Sequence, residues 1–165
     1  MLLLSAIFFT GNAQKRVREA RYRSTNSSGF SIGLEGGIPV GENGKPYSSI
    51  VGGSLQYEIM PDKDLGITIN GGYLNYSLKS SYGGGSGGFV PLLAGVKYYF
   101  IPVVFLHAQL GAAIGTKTGQ GTNFAYTPGI GFKLTSNLDA EVKYLGISNS
   151  AGSINNVGAR IGYNF

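Results

Sequence analysis

From Val157 to Phe165 the chain alternates without a break. Val157, Ala159, Ile161, Tyr163 and Phe165 share one face, and Gly158, Arg160, Gly162 and Asn164 share the other. A period of two marks a strand whose two faces meet different surroundings. A soluble protein has little use for an exposed apolar strand with an aromatic end. A strand that closes a membrane barrel turns that face to lipid.

Seven more alternating segments precede it, separated by turn chemistry. They lie at about 30–40, 50–60, 65–76, 89–100, 104–115, 123–134 and 138–147, with the last at 154–165. No stretch has the spacing of an amphipathic helix. The longest apolar run, Tyr98 to Gly115, is long enough to suggest a membrane helix, but Pro102, His107 and Gln109 interrupt it. It divides into two alternating strands around Ile101-Pro102-Val103 and reads as a hairpin.

The connections also alternate. Residues 61–64, 101–103 and 135–137 are short turns, while 41–49, 77–88, 116–122 and 148–153 are longer and rich in Gly, Ser, Asn and Lys. Turns at one end and loops at the other predict an eight-stranded antiparallel transmembrane β-barrel. An even strand count places both ends of the barrel on the short-turn side.

Size and charge decide which face is wet. One face carries large apolar residues. The other carries Gln56, Thr68, Asn70, His107, Gln109, Thr127, eight charged residues and many glycines. A narrow barrel has room inside for side chains that small, and large aromatics are not expected there in number. A soluble barrel with an apolar cup would show the inverse arrangement. Aromatics near the short turns (Tyr57, Tyr98, Phe100, Phe132, Tyr163, Phe165) and toward the loops (Tyr73, Phe89, Phe124, Tyr126, Tyr144) predict two girdles at the lipid headgroups.

The inward charges balance: Glu35, Glu58, Asp139 and Glu141 against Lys97, Lys133, Lys143 and Arg160, all in the half near the short turns. Lys133 and Asp139 flank one hairpin. Arg160 faces Glu141 or Lys143 on one side and Glu35 once the barrel closes. Charges in a narrow lumen must be paired or hydrated. A network of ion pairs that fills the lumen is expected; the alternative is a gate whose pairs switch to admit water and small ions. His107 is the only histidine and points inward. It lacks the companions of a metal site. It also sits at the wrong end for catalysis at the lipid leaflet or loop rim, so it reads as a satisfied lumen residue. No catalytic residue, metal ligand or cofactor is expected.

The net charge of +5 does not point to nucleic acid. Between residues 14 and 29 there are five basic residues and one acidic, whereas 30–165 holds eight basic and seven acidic. The body therefore has no electrostatic footprint for nucleic acid. Residues 1–13 read as an export signal: Leu2 to Thr10 are mostly apolar, and Gly11-Asn12-Ala13 are small residues suited to cleavage before Gln14. Residues 14–29 then form a basic periplasmic segment and 30–165 the barrel domain. With no cysteine there is no disulfide framework. The glycine run 83–88 is a flexible tether, since no Lys-Ser/Thr or helix follows it.

The body resembles the small outer-membrane β-barrels that include the OmpA transmembrane domain and OmpX-like proteins, often called porin-family. The residues that carry this are Phe30-Ser31-Ile32-Gly33-Leu34-Glu35-Gly36-Gly37, Pro91 to Phe100, and Arg160-Ile161-Gly162-Tyr163-Asn164-Phe165. The resemblance implies residence in the outer membrane of a Gram-negative bacterium after cleavage of a signal peptide. It also implies that Ile161, Tyr163 and Phe165 act as the signal read by the outer-membrane assembly machinery. Outer-membrane lipids and lipopolysaccharide are then the surroundings, with Lys45, Lys79 and Lys117 at the outer surface. A surface partner is possible at the loops, which are too short for a protruding adhesin sheet. A structural or surface-interaction role is expected, with a narrow porin-like channel as the alternative.

Overall fold

The computed structural model describes residues 28–149 and 152–165. The expected export signal (1–13) and all but the last two residues of the basic segment (14–29) lie outside them. Eight strands follow one another: β1 Gly29–Val40, β2 Tyr47–Asp62, β3 Leu65–Leu78, β4 Ser86–Ile101, β5 Val104–Gly115, β6 Thr122–Lys133, β7 Leu138–Asn149 and β8 Gly152–Asn164. Each pairs antiparallel with the next, and β8 pairs with β1 to close the barrel. Among the described residues no helix is long and apolar enough to cross a membrane.

The register fixes the shape. Following directly opposed residues around the wall gives Phe30, Tyr57, Ile69, Ala94, Leu110, Tyr126, Gly146, Asn155 and then Val40. One circuit therefore climbs from Phe30 to Val40 along β1, and that stagger tilts the strands by about 40°. A twelve-residue strand so tilted rises roughly 30 Å, enough for an apolar band of about 25 Å.

The alternation of the sequence becomes an outside and an inside. Ile32, Leu34, Leu55, Ile69, Leu92, Leu106, Leu110, Val142 and Ile161 all stand exposed on the outer wall, Leu34 at 76%. Leaving one such side chain in water forgoes roughly 1.5–3 kcal/mol of burial. A continuous belt of them is tolerable only against hydrocarbon, far beyond the patch a soluble monomer exposes. Phe30, Tyr98, Phe100, Phe132, Tyr163 and Phe165 ring the short-turn end, and Tyr73 and Phe124 stand exposed toward the loops.

The structure corrects two expectations. The loops are shorter than predicted, because β2, β3 and β4 continue into Gly- and Ser-rich segments that read as turns. Ser49 pairs with Ser77 and Ser77 with Ser86, so neighbouring strands hold these residues extended. Residues 148–153 are not a long loop either, since Ser148 pairs with Ser153 and Asn149 with Gly152. Phe89 does not join the loop-end girdle. It is buried inside the barrel at 4% exposure, on the same side of β4 as Leu93 and Lys97.

Candidate functional site

Among the described residues the lumen concentrates the chemistry, and it has two layers. The layer near the short turns is charged. Lys97 Nζ lies 3.0 Å from Glu58 Oε2, Lys143 Nζ 2.7 Å from Glu35 Oε2, and Arg160 Nη1 3.4 Å from Asp139 Oδ1. All six side chains are at least nine-tenths buried as residues. Each would be very costly alone, and each has an opposite charge.

Arg160 is the most enclosed of them, with no exposed surface. Its Nε donates to Ser54 Oγ at 3.1 Å and its Nη2 to Ser31 Oγ at 2.9 Å. The guanidinium thus ties β8 to β7, β1 and β2. Gly33 and Gly162 flank it, and a Cβ at either position would strike the guanidinium. The register places Glu35 and Glu141 directly opposite Arg160 on the two neighbouring strands. The ion pair nevertheless goes to Asp139, while Glu35 and Glu141 turn to Lys143 and His107.

Glu58 organises the opposite wall. It accepts from Lys97 Nζ and, at 2.7 Å, from Tyr99 Oη. The Lys97 ammonium also sits 4.6 Å from the centroid of the Phe105 ring, a cation–π contact in a dry setting. Lys133 and Asp139 oppose each other in register, and the Lys133 ammonium lies 5.3 Å from the centroid of Tyr99.

His107 has better company than the sequence suggested. Its Nε2 is 3.0 Å from Thr68 Oγ1, and its Nδ1 is 3.1 Å from both oxygens of Glu141. Glu141 and the Thr68 hydroxyl thus engage the two ring nitrogens from opposite sides and fix the ring plane. A hydroxyl, an imidazole and an orienting carboxylate in line is the layout of a nucleophilic triad. Thr68, however, is fully buried, and His107 and Glu141 are 2% exposed. With no room for a substrate beside the hydroxyl, the line fixes a ring rather than activating an attack. Among the described residues no group of three or more His, Cys, Asp or Glu side chains could hold a metal ion.

The layer toward the loops is mainly apolar, with Asn123 and Asn156 as its buried polar members. Ile50, Leu74, Tyr76, Phe89, Leu93, Ala113, Ala125, Leu145 and Ile147 pack into one buried cluster, with Tyr47 and Ile154 against it. Tyr76 stands edge-on to Phe89 and Tyr47, with centroids 5.4 Å and 5.6 Å apart. Its hydroxyl accepts from Asn156 Nδ2 at 3.0 Å, which supplies the partner a buried phenol needs. Large aromatics therefore do fit inside, contrary to expectation. Glycines on neighbouring strands vacate volume in both layers: a Cβ at Gly52 would strike Leu74 in the cluster, and one at Gly131 would strike the Phe105 ring in the charged layer. The inward parity of Phe89, Leu93, Leu74 and Ile147 was legible in the sequence; size was the misleading signal.

No family model and no curated protein matches the chain. Solved structures do. The Yersinia pestis attachment invasion locus protein Ail, in complex with the heparin analogue sucrose octasulfate, superposes with a TM-score of 0.61 at 21% identity, over 85% of this chain and all (100%) of that one. A designed transmembrane β-barrel gives 0.60 at 19% identity, over 85% and 98%. The fold is that of a small transmembrane β-barrel. The N-terminal β-barrel domain of Pseudomonas aeruginosa OprF agrees, with a TM-score of 0.54 at 17% identity over 84% of this chain and 100% of that one. At such identities the likeness speaks for the barrel's architecture and not for its lumen or loops.

Proposed function

We propose that this chain is an integral outer-membrane barrel with a structural or surface-interaction role, and that its lumen does not conduct. The carrying observation is the stacking of two unlike layers. An ion would have to leave water for a cluster of Ile, Leu, Tyr and Phe side chains buried to 4% exposure or less, and would meet the ion pairs only beyond it. A gate of switching pairs needs a wet path on both sides, and the apolar layer supplies none on the loop side. The narrow porin-like channel is therefore the weaker reading.

Outer-membrane residence in a Gram-negative bacterium, export by a cleaved signal over 1–13, and surroundings of outer-membrane lipid and lipopolysaccharide are parts of the same proposal. The loops carry whatever surface partner exists; an anchored barrel is a rigid base for them. Single-channel recording tests the central point. The refolded chain in a planar bilayer should be silent, and Arg160→Ala should stay silent because the apolar layer is untouched. Steady conductance in the wild type would establish the channel instead.

We assign the assembly signal to Ile161, Tyr163 and Phe165, which stand 56%, 47% and 77% exposed on the outer wall. Tyr163 and Phe165 also stack edge-on at 5.3 Å. Deleting Phe165 should lower the folded outer-membrane level several-fold while leaving refolding into detergent intact. Unchanged levels in cells would remove that role.

A further inference from the structure

The charges of this chain are divided unevenly along it. Between residues 14 and 29 stand Lys15, Arg16, Arg18, Arg21 and Arg23 against Glu19, while 30–165 is nearly balanced, with eight basic and seven acidic residues. The structure shows where that segment joins the barrel. Ser28 Oγ accepts from the Met60 N–H at 2.9 Å, and Gly29 opposes Glu58 in register. The carbonyl of Phe30 accepts from the Phe165 N–H at 3.0 Å. The chain therefore enters β1 held on both sides, at the rim that carries the short turns. That rim is also the aromatic girdle. The exposed Phe30 ring has its centroid 4.5 Å from that of Tyr57, and Tyr163 and Phe165 stand exposed across the β1–β8 seam. Rings so placed sit at headgroup level in a membrane barrel, so the basic segment is joined to the barrel at the lipid surface.

The length of the tether bounds what the basic residues can meet. Arg23 lies five residues before Ser28, and Lys15 thirteen. At full extension these are no more than about 18 Å and about 45 Å of chain. Headgroups begin where the tether begins, so they are the polyanion at the highest effective concentration. The barrel's own rim competes weakly. Of the short turns 61–64, 101–103 and 135–137, only the first carries charged residues, Asp62, Lys63 and Asp64, which sum to −1. Apolar insertion is not the attraction either. Val17, Ala20 and Tyr22 are the only apolar side chains between 14 and 29, too few for the buried face of an interfacial helix. What remains is electrostatic.

We propose that the basic segment before β1 binds the headgroups of anionic phospholipids in the leaflet on the short-turn side. The inference rests on the barrel spanning a membrane and not on whether its lumen conducts. Each basic residue that reaches an anionic surface strengthens such a contact about fivefold, and the effect dies away within a screening length. Four of the five basic residues are arginine, whose guanidinium can hold two phosphate oxygens at once. A zwitterionic surface offers the same phosphates without net charge, so headgroup charge is the selecting property. The contact adds an anchor for the short-turn rim, beside the seam where β8 closes on β1.

Fluorescence quenching in phospholipid nanodiscs, which leave both faces open, decides it. The chain from Gln14, the form that export cleavage would leave, keeps every described residue of the barrel. The chain has no cysteine, so Thr25→Cys carries a single fluorophore two residues after Arg23. A nitroxide on the lipid headgroup quenches it on contact. Quenching should rise severalfold when phosphatidylglycerol is added to phosphatidylcholine at constant nitroxide. About 0.5 M salt, which shortens the screening length to roughly 4 Å, should abolish the rise. So should Arg16→Gln, Arg18→Gln, Arg21→Gln and Arg23→Gln together, which lie outside the barrel and should leave its folded gel mobility unchanged. Equal quenching with and without phosphatidylglycerol overturns the proposal, as does a rise that survives salt or the four glutamines. Salt-sensitive quenching of the same size in both lipids overturns it too, because the barrel's own carboxylates would then hold the segment. None of these failures touches the anchored-barrel reading, which gel mobility and bilayer recording test separately.

Discussion

Arg160→Ala should destabilise the folded barrel by about 3–5 kcal/mol, the range for removing one partner of a buried ion pair. The guanidinium is fully buried and bonds to Asp139, Ser54 and Ser31 on three other strands. Alanine leaves Asp139, 2% exposed, without the guanidinium, with Asn164 Nδ2 at 2.9 Å and Lys133 opposite it in register. It also leaves empty the space that Gly33 and Gly162 reserve for the side chain. The two serines lose a charged donor but can turn their hydroxyls to other acceptors, so the carboxylate dominates the loss. Adding Asp139→Asn should therefore recover a large part of it. Urea unfolding in detergent, followed by the mobility difference between folded and boiled protein, measures the change. A shift below about 1 kcal/mol, the size of an exposed pair, would mean that water already screens Arg160.

The wall was legible in the sequence and the filling was legible only in part. A period of two needs no tertiary information, because each strand must divide lipid from lumen over its whole length. That is why Leu34, Leu55, Leu110 and Ile161 face outward and Glu35, Glu58, His107 and Arg160 inward. Closing the sheet sets Glu35 on one side of Arg160 and leaves Glu141 or Lys143 for the other; the structure puts Glu141 there. Pairing did not follow, because a long side chain reaches past its register neighbour. Arg160 leans to Asp139, and Glu141 turns to His107, whose strand is two removed from β7. The apolar layer is hidden from a reading by size, because an inward position need not be small or polar. Phe89 and Leu93 share the parity of Lys97, and parity was the stronger signal.

Glu58→Ala should cost a similar amount, about 3–5 kcal/mol, but on the opposite wall and with a different remedy. The carboxylate is the common acceptor for the Lys97 ammonium and the Tyr99 hydroxyl. Removing it strands an ammonium that is 1% exposed. The Phe105 face 4.6 Å away stays with the ammonium, a desolvated cation–π contact worth about 2 kcal/mol. That contact exists already in the wild type, so it cannot replace the lost charge. Glu58→Gln keeps one acceptor oxygen, for the Lys97 ammonium, and turns its amide N–H toward the Tyr99 oxygen, which can accept, so it should lose less than alanine. The informative variant is the double replacement Glu58→Leu with Lys97→Met, which removes both charges at similar volume. Buried pairs replaced in this way are often neutral or stabilising. A barrel restored to wild-type stability and still silent in a bilayer would make the pair a filler among fillers. A restored barrel that conducts would mean that the pair, and not the apolar layer alone, keeps the lumen shut. A double variant as unstable as Glu58→Ala would place the cost in the Tyr99 hydroxyl, which then has no acceptor.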